Sequence, residues 1–376
     1  MSNENKTMQI VMPDVPDTIP SQEYFVYVCL PDGNIVDGEA ASSIQLKDAG
    51  SRAITKGKRA VNFGGYNEVL QPAAMANGYQ NTNNGKYGEV GGQFSYTAFD
   101  NAIAKGKGVA ALVKNAVVYG SSNQENNPSK IAGSYLIVGA TKDSPKDFSA
   151  TGNEYKAITF KNFNGVNTYV INDNSTEKVL EDYLEELWDS LPVADKIQVG
   201  AAEESLTIGA GNLNLLLGGF IGGTNNKGKG TGGIIYGTNN RSVGDNCDIN
   251  GDGNNSVGDE IFINGYQNRN NGNYNKIFGN NNNINASYCI INGDANISNF
   301  NHCKLDGYAL IADKADQTLM GRYNAPSNAD FVFGNGNSSS ARSNALEVYK
   351  TANGAELKIG NTTINETQLQ ALLALI

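Results

Sequence analysis

Asp248-Ile249-Asn250-Gly251-Asp252-Gly253-Asn254-Asn255-Ser256-Val257-Gly258-Asp259-Glu260-Ile261 is followed at once by Phe262-Ile263-Asn264-Gly265-Tyr266-Gln267-Asn268, and the second run begins the first again. The repeat is fourteen residues long. Working outward in both directions, a glycine holds the same place in every copy: Gly209, Gly223, Gly237, Gly251, Gly265, Gly279, Gly293 and Gly307. Glycine is 44 of 376 residues, far too few for composition alone to give such an unbroken file. A fixed short period of this kind marks a repeat architecture.

Three companion columns give the repeat its physical sense. Two positions before the glycine stand Thr207, six isoleucines from Ile221 to Ile291, and Leu305. These predict an inward ladder, each side chain contributing about 1.5–3 kcal/mol on full burial. Three positions after it stand Asn212, Asn226, Asn240, Asn254, Asn268, Asn282 and Asn296. Asparagine tolerates left-handed backbone in turns, and in register its amides can stack coil on coil. A second glycine follows seven residues later at Gly230, Gly244, Gly258 and Gly272. Two bends per coil imply two short strands per coil, hence a mainly β, parallel β-roll or flattened β-solenoid.

The first half carries a weaker copy, with Gly50, Gly64, Gly78, Gly92, Gly106 and Gly120 again fourteen apart and Asn67, Asn81 and Asn123 in the asparagine column. Gly120 and Gly209 are out of phase, which predicts two independent stacks separated by an insert. Five segments follow: an N-terminal anchor at 1–49, a first block at 50–140, an insert at 141–199, a second block at 200–310 and a C-terminal segment at 311–376. The anchor reads as a hairpin, with strands at Glu23–Leu30 and Ile35–Val36 around Pro31-Asp32-Gly33-Asn34. The insert holds a hairpin signal at Asn164-Gly165 and a helix over 175–191, capped by Asn174 with Glu177 in its first turn. Its stripe of Val179, Leu180, Tyr183, Leu184, Leu187, Trp188 and Leu191 either lies on its own chain or builds a three-helix collar. The chain closes on a helix capped by Asn365, with Leu369, Leu372, Leu373 and Ile376 at helical spacing. A helix this short is marginal alone, so these four are expected to pack against copies from neighbouring chains.

Charge and composition narrow the function. The net charge is -10 with no basic run, which disfavours nucleic acid. Met1–Pro20 lacks the apolar stretch of a signal peptide, and no run approaches the roughly 18 apolar residues of a membrane helix. A fourteen-residue coil encloses little core, so one face is expected to be covered by other copies of the chain.

Ser242-Val243-Gly244 and Ser256-Val257-Gly258, on a fourteen-residue coil with glycines seven apart, resemble the head repeats of YadA-like trimeric adhesins. The resemblance covers roughly 50–140 and 200–310, and implies a left-handed parallel β-roll assembled as a homotrimer. Ala315-Asp316-Gln317-Thr318, Gly321-Arg322-Tyr323-Asn324, Phe331–Asn337, Arg342-Ser343-Asn344-Ala345 and the final Gln368–Ile376 helix look like segments of phage tail and fibre proteins. A bacterial adhesin would carry a secretion signal and a C-terminal membrane barrel, neither of which is read here. The resemblance therefore implies a phage head or tail fibre: a structural, non-enzymatic homotrimer on the virion surface, released by lysis. Residues 1–49 would dock on a capsid or tail protein, and a host surface glycan is a candidate partner. A receptor-binding adhesin and, less favoured, a polysaccharide depolymerase are the alternatives. No cofactor is implied.

Several constellations bear on chemistry. Asp248, Asn250, Asp252 and Asp259 fit the opening and twelfth position of a calcium loop. Yet Ile249, Gly251 and Asn254 are already demanded by the repeat, and Asn255 sits where such loops want an aliphatic residue. An acidic bend is the preferred reading. Asp245 and Asp259, one coil apart, have about the spacing of a retaining glycosidase pair, with no aromatic platform or basic residue beside them in sequence. His302 is the single histidine, which disfavours a Ser-His-Asp arrangement. Cys247, Cys289 and Cys303 share one column and read as small inward side chains, although a Cys289–Cys303 disulfide is geometrically conceivable. Tyr236, Tyr266, Tyr274, Tyr288 and Tyr308 recur as outward strand residues, with sugar stacking as the sharper alternative for Tyr266 and Tyr308, whose column also holds Asp252 and Asp294.

Overall fold

The computed structural model describes residues 44–46, 54–55, 59–65, 67–122, 158–173, 176–193, 196–352 and 354–375. The expected anchor hairpin, Gly50, Asn123, Asn174 and Ile376 lie outside them. The chain divides into two compact units, Met1–Lys227 and Gly228–Ile376. Both are parallel β-solenoids built from fourteen-residue coils.

In the first unit, Val61–Gly65, Met75–Tyr79, Glu89–Gln93, Ile103–Lys107 and Val117–Ser121 stack as successive parallel strands of one face. Short strands such as Thr82–Asn83, Tyr96–Thr97 and Val109–Ala111 stack as the opposite face. The stack already begins at Ile44–Leu46, which pairs with Val61–Phe63 inside the segment assigned to the anchor.

The expected break between two stacks is corrected by the strand pairing. Val117–Ser121 pairs directly with Leu206–Ala210, placing Gly120 beside Gly209, and Val109–Ala111 pairs with Gln198–Gly200. The insert is a side excursion, after which the chain returns to the same free strand edge. Edge hydrogen bonding needs geometric register and not sequence continuity, so the phase break does not interrupt the stack.

Within the excursion, Ile158–Phe163 and Val166–Asp173 form the expected antiparallel hairpin. Asn164 and Gly165 turn it with φ of 52° and 88°, the two positive values a mirror-image turn requires. Thr176–Val179 then adds a third strand, so Glu177 lies in a strand and not in a helical first turn. Helix α1 spans only Leu180–Ser190 and has no side-chain cap. The hairpin claims the residues that were expected to open the helix, because strand pairing satisfies their backbone groups first.

Leu180, Tyr183, Leu184, Trp188 and Leu191 are buried in one cluster with solenoid residues such as Val109, Leu112, Val118 and Leu213, with Leu187 packed at its edge. Of the two readings of the stripe, the helix on its own chain holds. Leu180, Leu184 and Trp188 are thereby corrected as trimer contacts, because a side chain buried within its own unit has little apolar area left to bury elsewhere, while Leu187 is half-buried at the edge of the cluster. The Trp188 indole N–H donates to Gly211 O at 3.0 Å. Lys227, fully buried, meets Glu185 at 2.6 Å and Asp189 at 3.0 Å on the same helix.

In the second unit the aliphatic ladder is the core. Ile235, Ile249, Ile263, Ile277, Ile291 and Leu305 are all buried. Two further coils continue it past residue 310, through Leu319 in Thr318–Arg322 and Val332 in Phe331–Asn335. The sheet then reverses into antiparallel strands at Asn344–Thr351, Gly354–Ile359 and Thr362–Asn365. Helix α2, Glu366–Leu373, follows. Asn365 caps it reciprocally: Asn365 Oδ1 accepts from Gln368 N at 2.9 Å, and Gln368 Oε1 accepts from Asn365 N at 3.1 Å. Leu369 and Leu373 stay exposed.

The glycine column is a demand of stacking. A Cβ on Gly265, whose φ is +154°, would stand 1.8 Å from Gly279 O on the next coil. The left-handed corners are occupied by other residues, seven apart, including Glu260, Gln267, Tyr274, Asn281, Tyr288, Ala295 and His302. The ladder asparagines are not at those corners, which corrects their reading as turn residues. They point inward. Asn254 Oδ1 accepts from Asn268 N at 3.0 Å and from Asn268 Nδ2 at 3.0 Å, while Asn268 Nδ2 also reaches Gly279 O at 2.7 Å. The same set recurs at Asn282. Each amide thus satisfies backbone groups that a narrow bend would leave buried and unpaired.

Candidate functional site

The corners explain Asp245 and Asp259. Asp245 Oδ1 accepts from Thr231 N at 2.7 Å, Asp259 Oδ1 from Asp245 N at 2.9 Å, and Asn273 Oδ1 from Asp259 N at 3.0 Å. Asp245 and Asp259 are neighbours, as their spacing requires, but one oxygen of each is engaged in holding the preceding coil. The calcium reading is corrected. Asp248–Asp252 is an extended strand paired on both sides, whereas a calcium loop must curl its first five residues around the ion. Among the described residues, no group of three or more His, Cys, Asp or Glu side chains is placed to hold a metal.

Cys247, Cys289 and Cys303 are buried free thiols. Their Sγ atoms donate to carbonyls of the following coil, at 3.0 Å to Gly258 O, 3.4 Å to Phe300 O and 3.2 Å to Lys314 O. Asn275 makes the equivalent bond to Ala286 O at 2.6 Å. The column is inward, as expected, and polar at its tip. The hydrogen bond with Cys303, followed by burial, pushes the Cys289 thiol up.

Two aromatic features are assembled only by the fold. Tyr274 and Tyr288 stack at 4.8 Å with planes 4° apart, and His302 continues the file 5.0 Å from Tyr288. His302 Nδ1 lies 3.3 Å from Asp316 Oδ1. Their common fourteen-residue spacing was the available signal. All three occupy left-handed corners, with φ of 58°, 61° and 59°.

The second feature is a shallow, open groove of about 680 Å³ over the glycine column at Gly293, Gly307, Gly321 and Gly334. Asn292, Asp306 and Phe333 border it within the strands; Asp294, Tyr308, Arg322 and Asn335 border it at the strand ends. The glycines leave a backbone floor between two rows of side chains. Tyr308 and Phe333 are 47% and 42% exposed, so their rings are available to a ligand. Tyr308 is braced edge-on by Tyr323 at 5.3 Å, and Arg342 sits 5.7 Å over the Tyr323 ring. Arg342 itself is fixed by Ala309 O at 2.8 Å and Asn324 O at 3.2 Å. Asp294 Oδ1 is held by Asn280 N at 2.7 Å and Asn280 Nδ2 at 3.0 Å. Sequence reasoning had Tyr308 and Asp294 in one column but ended the repeat at residue 310, so Arg322 and Phe333 were not placed beside them.

Another surface is apolar. Ile234, Tyr236, Phe262, Phe278 and Ile290, on strands of the second unit before the groove, are exposed, with Asp248 and Asn250 interrupting them on the strand between Tyr236 and Phe262. Phe262 and Phe278 touch at 5.2 Å. Among the described residues, no helix is long and apolar enough to cross a membrane. No protein-family model matches this chain, and no curated protein matches it.

Proposed function

We propose that this chain is a structural fibre protein of a bacteriophage virion, a homotrimer that projects from the particle and mediates attachment to the host or its surroundings. The observation that carries this reading is the row of exposed apolar side chains on the second unit's solenoid face, together with exposed Leu369 and Leu373 on α2. Clustered exposed apolar side chains of this kind mark an interaction site. Recurring along the coils that precede the groove, they fit a second and third copy running alongside there. The resemblance to trimeric adhesin heads and to phage fibre segments points the same way. In this reading residues 1–49 dock on a capsid or tail protein.

Solution mass tests the assembly: three times the 39.9 kDa chain mass is expected, and a monodisperse single chain would overturn it. Immunogold labelling of purified particles tests the location, with label expected on projecting fibres. A receptor-binding trimeric adhesin outside a virion is the second reading. It is favoured by the aromatic groove, which a purely structural shaft has no need to keep open.

A further inference from the structure

We propose that the groove over Gly293, Gly307, Gly321 and Gly334 binds a short neutral oligosaccharide, of about two to four hexose or N-acetylhexosamine units, lying along the solenoid axis. This deepens the attachment reading above and rests on it for biological sense. The floor comes first: four glycines in one file expose only backbone there, letting a ring approach more closely than any side-chain surface would. The walls supply what a sugar needs on its two kinds of surface. The Tyr308 and Phe333 rings offer apolar faces to the C–H side of a pyranose. Asn292, Asp306, Asn335 and Arg322 offer acceptors and donors to its hydroxyls.

Scale and preorganisation agree with this occupant. The groove volume of about 680 Å³ is within the range of small-molecule sites. Successive coils rise by roughly 4.8 Å, close to the length of one sugar unit, so wall residues one coil apart are spaced to meet successive sugars. Tyr308 is held by Tyr323, Asp294 by Asn280, and Arg322 Nη2 reaches Asn337 Oδ1 at 3.4 Å. Groups fixed before binding lose little freedom on binding. The Asp306 side chain makes no hydrogen bond or ion pair among the described residues, so its carboxylate is available to a hydroxyl pair. Two carboxylates against one guanidinium disfavour an acidic sugar. A second copy of the chain is a poor occupant, because cores of protein interfaces are depleted in charge and three charged side chains border this groove.

The test is a binding panel with the full chain: neutral hexose, N-acetylhexosamine and uronic-acid oligosaccharides of the same short lengths, released from bacterial surface polysaccharides and titrated by calorimetry. Binding within the neutral or N-acetylated set is expected. Tyr308→Ala and Phe333→Ala should each weaken it at least about tenfold, and Tyr308→Phe should retain most of it. Tyr274→Ala, at a corner outside the groove lining, should leave it unchanged. No binding by any neutral class, binding confined to uronic acids, or equal loss in Tyr274→Ala would each overturn the proposal. A trimer that binds no sugar fails here alone; a single-chain mass fails the fibre reading alone.

Discussion

Gly120 and Gly209 are side-by-side partners on adjacent parallel strands. A Cβ on Gly120 would stand 1.8 Å from Gly209 O. Between them the chain leaves the solenoid, builds a three-stranded sheet and helix α1, and comes back in register. The excursion is fastened to the stack by Trp188, which donates to Gly211 O, and by the Lys227 contacts to Glu185 and Asp189.

Gly265→Ala should be among the most damaging single substitutions, costing about 3 kcal/mol, because its Cβ meets a backbone carbonyl that cannot move without parting two coils. Gly218, at φ +65°, has open space where a Cβ would stand, with nothing within 4 Å. Gly218→Ala should cost only about 1 kcal/mol, the ordinary left-handed penalty. Paired chemical-denaturation curves would check the contrast.

Asn268→Ala removes the Asn268 Nδ2 bonds to Asn254 and Gly279, and leaves Asn282 N without its Asn268 Oδ1 acceptor. A loss of about 2–4 kcal/mol is expected. Asn268→Asp should behave with an inverted pH response. Its buried carboxylate would face Gly279 O, so the neutral form is favoured in the fold and the folded pKa is raised. The penalty should be absent below about pH 4 and grow as pH rises above it. Melting temperatures across pH would show stability falling where acid-sensitive proteins gain it.

Lys227 is fully buried while Glu185 and Asp189 reach solvent. Removing both carboxylates strands a buried charge, so Glu185→Gln with Asp189→Asn should cost about 3–5 kcal/mol, and Lys227→Met distinctly less. Trp188 is the single tryptophan and is buried against the stack. Its emission should shift to the red in the double variant as α1 loosens.

The C-terminal sheet should be acid-sensitive. Burial alone would raise the Glu347 carboxyl, but hydrogen bonds with Lys358, Ser327, Asn344 and Tyr349 outweigh it and hold it below its ordinary value. A lowered folded pKa gives stability that is present above the unfolded value and lost as pH falls through the folded one. Hydrogen-exchange protection over Asn344–Ile359, corrected for the intrinsic pH dependence of exchange, should therefore fall below about pH 4, and Glu347→Gln should flatten that response.

Leu369 and Leu373 are exposed on α2, with Leu373 62% exposed. If they lock three chains together, Leu369→Glu with Leu373→Glu should lower the solution mass while far-ultraviolet dichroism keeps its β signature. An unchanged mass would place the assembly contact elsewhere.

Sequence alone determined the coil, because a repeat imposes the same local conditions on each turn. The glycine file, the Ile249–Leu305 ladder and the asparagine column are each enforced by a neighbour one coil away, so the period prints them directly. The Asn164-Gly165 turn and the Asn365 cap were legible for a related reason: their partners are close in sequence. Tertiary structure alone decided where the chain re-enters after its excursion, that the Leu180–Leu191 stripe is consumed within its own unit, and that Tyr308 shares a groove with Arg322 and Phe333. Each of these depends on strand edges and coils meeting across a change of phase or beyond the visible repeat. Such a meeting is settled by hydrogen-bond register and burial in three dimensions, which no single column of residues records.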